Sequence, residues 1–429
     1  MNAKYFLLMV VLFSFLGKAQ NLTLEDCLNL GRENQPDFKI QSIKIDQKVK
    51  TKRSFASQFL PTIDASVSHA YNFGSSIDPS TNTREPSNIQ SDNLSINAQI
   101  NLFDFSKLNQ TTIQNYDIEL EKLELKTIQN QYDLLVLEKY MVALALQEWQ
   151  NVLKSQMENS QIQFVRISKE VEEGKRPKSD FYDIQVIVLQ EQNDLEKSKH
   201  DEIISKTELI QLLNTTSVSP ENMELQHPLL DEINQNEFNF STYPSIEKYE
   251  LNTKKINEEY KQLFGKYVPS LFLNYSYGTF YAQKIKSLAD TNFQFGNQLK
   301  DNKSQYIGLN LSIPIYSRGN TTQQRELKKI ELQLNEAQKN KEEKRLNDLV
   351  NLELKKLNLL EDLTKSLIEI VKASEQSFET TETKYKFDKV DASVYKSSKN
   401  QVLQSKYNEL NNNLSQVFIQ NQLKILLAN

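Results

Sequence analysis

The run from Asn320 to Asn429 contains neither glycine nor proline, and it follows directly on "YIGLNLSIPIYS", residues 306 to 317, where apolar and polar residues change places at every step. A chain free of both breakers over that length reads as very long helix. The stretch before it has a period of two and reads as a strand: Ile307, Leu309, Leu311, Ile313 and Ile315 point one way, and Gly308, Asn310, Ser312 and Pro314 the other. A two-faced strand feeding a helix far longer than any ordinary globular domain needs is the constraint that the fold must satisfy.

The same pairing occurs twice. When "QPDFKIQSIKIDQKVKTKRSFASQFLPTIDASVSHAY" is laid over "YPSIEKYELNTKKINEEYKQLFGKYVPSLFLNYSYGT", Pro36 falls on Pro244 and Pro61 on Pro269 without a gap. Each copy then predicts a helix of about seven turns, a proline, an alternating segment, a polar loop, a second alternating segment and a very long helix. In the first copy Ile63, Ala65, Val67, Tyr71 and Phe73 alternate with polar residues. Beyond the loop, Leu94, Ile96, Ala98, Ile100 and Leu102 do the same. The second copy has Leu271, Leu273, Tyr275 and Tyr277, then Ile307, Leu309, Leu311 and Ile313. Four strands of about ten residues are expected, long enough to cross a bilayer when tilted. Pro61 and Pro269 mark the hand-over from helix to strand, and Pro314 predicts an irregularity near the end of its strand. Segment 107–172 would make a helix about 100 Å long at ~1.5 Å per residue. A turn "EEGKRPKSD" and a return helix from about Asp180 to Leu213 follow. In the second copy Asn320–Lys386, "KFDKVDAS" and a last helix repeat the pattern.

Composition supports this reading. Nine glycines and ten prolines in 429 residues are few, and the net charge of -5 shows no basic footprint for nucleic acid. The opening "MNAKYFLLMVVLFSFLGKAQ" has Lys4, an apolar run from Tyr5 to Leu16 and small residues Gly17 and Ala19 before Gln20, the layout of a removed secretory signal over 1–19. Cys27 is the single cysteine and reads as a packing residue; His69, His200 and His227 are scattered without ligand spacing, so no metal or cofactor is expected. No nucleophile, base and orienter constellation points to an enzyme.

A sheet polar on one face and apolar on the other fits lipid on one side and water on the other. An antiparallel sheet resting on a helical core has the same alternation. Aromatic residues at the strand ends (Tyr71, Phe73, Phe103, Phe105, Tyr267, Tyr306 and Tyr316) favour the membrane reading. His69, on the nominally apolar face, counts against it. Four strands cannot close a barrel, and open sheet edges are forbidden in hydrocarbon, so a membrane sheet must be completed by other copies.

Several motifs resemble the TolC family of bacterial outer-membrane efflux and secretion ducts. "LTLEDCLNLGRENQPDF" is similar to that family's opening, with Thr23 capping a short helix and Asp26 three residues on. "QINLFDFSK" and "LSIPIYSRGN" are similar to its two strand exits, and "EEGKRPKSDF" to its first helical turn. The resemblance implies a mainly α fold with β: long antiparallel helical hairpins forming an α-barrel, plus four transmembrane strands per chain, joined in a homotrimer with one twelve-stranded β-barrel. The mature domain 20–429 would hold two repeats, 20–214 and 215–429, with strand hairpins 62–105 and 270–317 and a helical tunnel of 20–60, 106–214, 244–266 and 318–429. The candidate lipid-facing residues are Ile63, Ala65, Val67, Leu94, Ile96, Ala98, Ile100, Leu271, Leu273, Tyr275, Ile307, Leu309, Leu311 and Ile313.

The resemblance further implies a passive conduit in the outer membrane, engaged at its helical tips by a periplasmic adaptor protein and an inner-membrane pump. The resting tip would be closed by hydrogen bonds and charge pairs. Ser179 and Asp180 match the family's first tip and Tyr385 its second, so a hydrogen bond from Tyr385 to Asp180 is expected. Asp388 stands where the family has glycine, and Val390 where it has the gating arginine; Arg176 or Lys389 would supply the missing charge. Val394 and Ser397 occupy the positions of its acidic entrance ring. The competing reading is an exported coiled coil that spaces or scaffolds the envelope without channel activity.

Overall fold

The computed structural model describes residues 20–77, 82–86, 88–228, 243–285 and 295–427; the expected signal segment 1–19 and parts of the strand-joining loops lie outside them. In chain order the elements are β1 (Gln20–Leu22), α1 (Leu24–Asn34), α2 (Pro36–Thr51), β2 (Thr62–Asn72), β3 (Ser75–Ile77), β4 (Arg84–Pro86), β5 (Ile89–Phe103), α3 (Gln110–Glu172) and α4 (Lys178–Leu212). The second copy supplies β6 (Met223–Leu225), α5 (Pro244–Phe264), β7 (Ser270–Lys284), α6 (Phe295–Asp301), β8 (Ser304–Ser312), α7 (Asn320–Lys386) and α8 (Ala392–Leu427). No described helix is long and apolar enough to cross a membrane. The chain forms two compact units, one of residues 1–43, 122–248 and 340–429, the other of 44–121 and 249–339.

The first unit is helical. Thr23 caps α1 in a reciprocal box: its hydroxyl accepts from the Asp26 N–H, and the Asp26 carboxylate accepts from the Thr23 N–H at 3.0 Å. Behind that cap Cys27, Val136, Leu137, Tyr140, Leu144, Leu209 and Leu213 form a dry core. Burial pushes the Cys27 thiol up to about 12, which makes it a packing group rather than a nucleophile. Segments β1 and β6 pair in parallel, an element too short to read from alternation. Two side chains of α3 pin it: the Tyr140 hydroxyl donates to the Leu22 carbonyl at 2.9 Å, and Gln147 bonds both the N–H and the C=O of Leu225.

The second unit carries a four-stranded antiparallel sheet in the order β2-β5-β7-β8. Its strands have 11, 15, 15 and 9 residues rather than a uniform ten. The seven-turn helix expected after Pro36 stops at Thr51. There the Thr51 hydroxyl donates back to the carbonyls of Gln47 and Lys48, the Arg53 N–H is taken by Gln114, and Ser54 caps a separate 3-10 turn, Phe55–Phe59. These local side-chain bonds compete with continued helix. Gly265, just past α5, is required by packing, because a Cβ there would lie 2.4 Å from the Ser106 backbone nitrogen.

Candidate functional site

The register of the sheet sorts the side chains by chemistry. One row aligns Ile63, Ala98, Tyr275 and Ile307; neighbouring rows align Ala65, Ile96 and Tyr277, then Val67 and Leu94, then Ile100, Leu273 and Leu309. Directly opposed residues share a face, so the expected apolar residues of all four strands lie on one surface. The opposite face is knit by polar bonds: Ser66 to Ser95 at 2.7 Å, Asn97 to Asp64 at 3.2 Å and Ser276 to Asn97 at 2.8 Å. His69 also lies on the apolar face, where the register sets it opposite Asp92, with which it pairs.

Two strand expectations are corrected. Strand β8 ends at Ser312, so Ile313 falls outside it, together with the 313–317 end of the expected hairpin; Ile313 and Ile315 are 58% and 94% exposed. Pro314 has no N–H to give to the ladder and constrains the residue before it. The irregularity inside the sheet lies elsewhere, at a shift between Asn101 and Phe103. That extra residue removes Leu102 from the alternation and aligns Phe103 with Leu271 and Leu311 on the apolar face. The loop after β7 also holds more structure than its polar sequence suggests. Helix α6 lies against β7 through Thr279 Oγ1 donating to the Leu299 carbonyl and Asn302 Nδ2 donating to that of Phe280.

The second candidate region is the pair of helical tips, where α3 turns into α4 and α7 into α8. Both long helices end in the same motif. Gly174 has φ +74, with Lys175 N–H donating to the Glu170 carbonyl; Asp388 has φ +56, with Lys389 N–H donating to that of Lys384. Asp388 therefore fills a left-handed position that glycine would occupy without strain and that an aspartate tolerates.

Arg176 lies between the tips with its side chain 3% exposed. Its Nε meets Glu170 at 2.7 Å, Nη1 meets Asp180 at 3.3 Å, and Nη2 donates to the Tyr385 carbonyl at 2.8 Å and pairs with Asp388. The guanidinium also stands 5.4 Å from the Tyr385 ring centre, within cation–π range. Ile167, Ile184, Ile187, Tyr385 and Tyr395 form the apolar cluster beneath it, with the two tyrosine rings stacked at 4.6 Å. The expected bond from Tyr385 to Asp180 is absent. The Tyr385 hydroxyl is buried without a hydrogen-bond partner, burial pushes its pKa up to about 12, and Asp180 is engaged by Arg176 and by the Ser179 hydroxyl at 3.3 Å. Asp180 lies in the first turn of α4, which Pro177 precedes. The structure thus brings Arg176, Asp180, Tyr385 and Asp388 into one cluster with Ser179 at its edge.

Sequence reading missed Lys399 of α8. Its Nζ is buried against the first repeat, donating to the Gln156 carbonyl at 3.0 Å, to Ser160 Oγ and to Glu191 Oε1 at 2.8 Å. Desolvation lowers its pKa, against an opposing pull from Glu191. Among the described residues, no group of His, Cys, Asp and Glu side chains could hold a metal ion.

Residues 28–215, nearly the whole first repeat, match the model of the outer membrane efflux protein family. No curated protein matches the chain. Among the solved structures that share its fold are three outer-membrane proteins. The outer membrane protein VceC of Vibrio cholerae is 13% identical with a TM-score of 0.73 over 94% of this chain and 95% of its own. The Campylobacter jejuni CmeC outer membrane channel is 15% identical with a TM-score of 0.75 over 94% and 85%. The open state of the Neisseria gonorrhoeae MtrE outer membrane channel is 13% identical with a TM-score of 0.70 over 95% and 89%. In sequence, residues 28–215 are thus similar to the outer membrane efflux protein family, and nearly the whole chain has the fold of solved outer-membrane channels, in keeping with the TolC-like motifs.

Proposed function

We propose that this outer-membrane efflux channel works as a passive exit conduit completed by three copies of the chain. A periplasmic adaptor and an inner-membrane pump would engage it at helical tips held shut by Arg176. The observation that carries the reading is the sheet: four strands sorted into an apolar and a hydroxyl-and-amide face, with β2 and β8 left as edges. Unpaired backbone groups each cost several kcal/mol in hydrocarbon, so such a sheet is stable in a bilayer only when its edges meet those of other copies. Three copies supply twelve strands, and a barrel of that size holds water rather than a packed core. Long helical hairpins alone would serve an envelope spacer equally well, but a spacer has no use for a two-faced sheet.

The test is to purify the full chain in detergent, measure its mass by light scattering, and reconstitute it in planar bilayers. A trimer with discrete conductance steps is expected. A monomer that stays soluble without detergent and passes no current would overturn the conduit.

A further inference from the structure

We propose that Asp64 sets the charge preference of the barrel lumen, so that cationic and neutral solutes pass more readily than anions. The inference rests on the conduit reading above. The polar face of the sheet is almost uncharged: Ser66, Ser95, Asn97, Gln99, Asn274 and Ser276 give hydroxyls and amides, and the aromatic residues there, Phe272, Phe280 and Tyr306, carry no charge. Among the described strands the charged residues of that face are Asp64 and Lys284, and they stand at opposite ends of the sheet. Asp64 is three residues beyond Pro61, while Lys284 ends β7 opposite Ile89. Asp92, which pairs with His69, lies on the apolar face.

Asp64 is exposed yet fixed. Its carboxylate accepts from Asn97 Nδ2, and Asn97 Oδ1 in turn accepts from the Ser276 hydroxyl. No cation beside it neutralises the charge among the described residues.

Magnitudes make one carboxylate per chain sufficient. Twelve strands ~4.8 Å apart and tilted by about 40° close at a backbone radius of roughly 12 Å. A carboxylate reaching ~4 Å inward then stands roughly 8 Å from the axis. That is within the Debye length of ~10 Å at 0.1 M salt and well outside the ~3 Å at 1 M. A ring of three carboxylates therefore biases the whole cross-section at low salt and is silent at high salt.

The experiment measures reversal potentials of the reconstituted wild type and of Asp64→Asn, Asp64→Lys and Asp64→Glu across a potassium chloride gradient centred near 0.1 M, and again near 1 M. Each is repeated in Arg176→Ala channels, so that a closed tip does not mask the barrel. At low salt the wild type and Asp64→Glu are expected to favour cations. Asp64→Asn should lower the cation-to-anion permeability ratio roughly twofold or more, Asp64→Lys should reverse it, and the differences should collapse at ~1 M. Equal reversal potentials for wild type, Asp64→Asn and Asp64→Glu in conducting channels would overturn the assignment even if Asp64→Lys failed to assemble. Absence of any current from the wild type would instead remove the conduit on which it rests.

Discussion

A guanidinium that is 3% exposed and meets three carboxylates and a carbonyl is a junction whose removal changes more than one bond. Charged hydrogen bonds contribute about 1.5–3 kcal/mol each where water is excluded, and less for Asp388, which is more than half exposed. Truncating Arg176 also leaves Glu170, Asp180 and Asp388 facing one another without a cation. A loss of ~1.4 kcal/mol already shifts a closed–open equilibrium tenfold, so Arg176→Ala is expected to raise single-channel conductance or open time by about that factor. Arg176→Lys should restore closure only in part, because one ammonium cannot repeat the planar fork. Tyr385→Phe should leave the current unchanged, since the hydroxyl it deletes makes no hydrogen bond, whereas Tyr385→Ala removes the ring that stacks on Tyr395 and should open the tip. Single-channel recordings of these four variants separate a tip held by Arg176 from one held by the tyrosine hydroxyl. The turn patterns at Gly174 and Asp388 made the neighbourhood legible in the sequence. Which donor meets which acceptor was not legible, because it depends on a buried ring lying over Ile167 and Ile184.

The strands show how a single residue step chooses between two faces of the sheet. Ala98 and Gln99 are chain neighbours, yet Ala98 aligns with Ile63 and Tyr275 on the apolar face, and Gln99 with Thr62 and Asn274 on the polar one. Placing a lysine at the bilayer midplane of a barrel's lipid face costs about 2–4 kcal/mol, while a lumen substitution costs little. Ala98→Lys is therefore expected to lower the yield and denaturant resistance of folded barrel in lipid vesicles, and Gln99→Lys to fold like the parent; equal behaviour of the two would contradict the assignment of faces. The alternation could be read because its period repeats over many residues, and the long helices because breakers are absent from them. What stayed hidden was decided by one or two residues or by distant partners. The Asn101/Phe103 shift inverts the faces at the end of β5, Pro314 stops β8 early, and Thr51 with Ser54 shortens α2. The pairing of β1 with β6 joins segments some two hundred residues apart, each too short to show a period.

At the scale of the whole molecule the two repeats are joined by cations exchanged in opposite directions. Arg176 of the first repeat reaches the Tyr385 carbonyl and Asp388 of the second, and Lys399 of the second reaches Gln156, Ser160 and Glu191 of the first. The two hairpins thus interlock, each copy placing a buried cation against groups of the other. Lys399 is nearly as deeply buried as Arg176. Its side chain is 5% exposed, and the second carboxylate oxygen of Glu191 is already buried without a hydrogen bond. Removing one member of a buried ion pair costs about 3–5 kcal/mol, chiefly by stranding the other. Lys399→Met should therefore lower the melting temperature in detergent, and the double change Lys399→Met with Glu191→Gln should recover most of the loss. The pH dependence has a definite sign. Burial lowers the pKa of Lys399 in the folded state below its ordinary 10.5, so the unfolded chain holds more protons at this site than the folded one as pH approaches 10.5. Stability contributed through Lys399 accordingly rises with pH between that lowered value and 10.5, and the burden of keeping it charged is fully present at neutral pH. The gap in melting temperature between wild type and Lys399→Met should widen as pH is raised from 8 toward 10.5; a gap that narrows over that range would mean that Lys399 is held by its partners more strongly than burial opposes it.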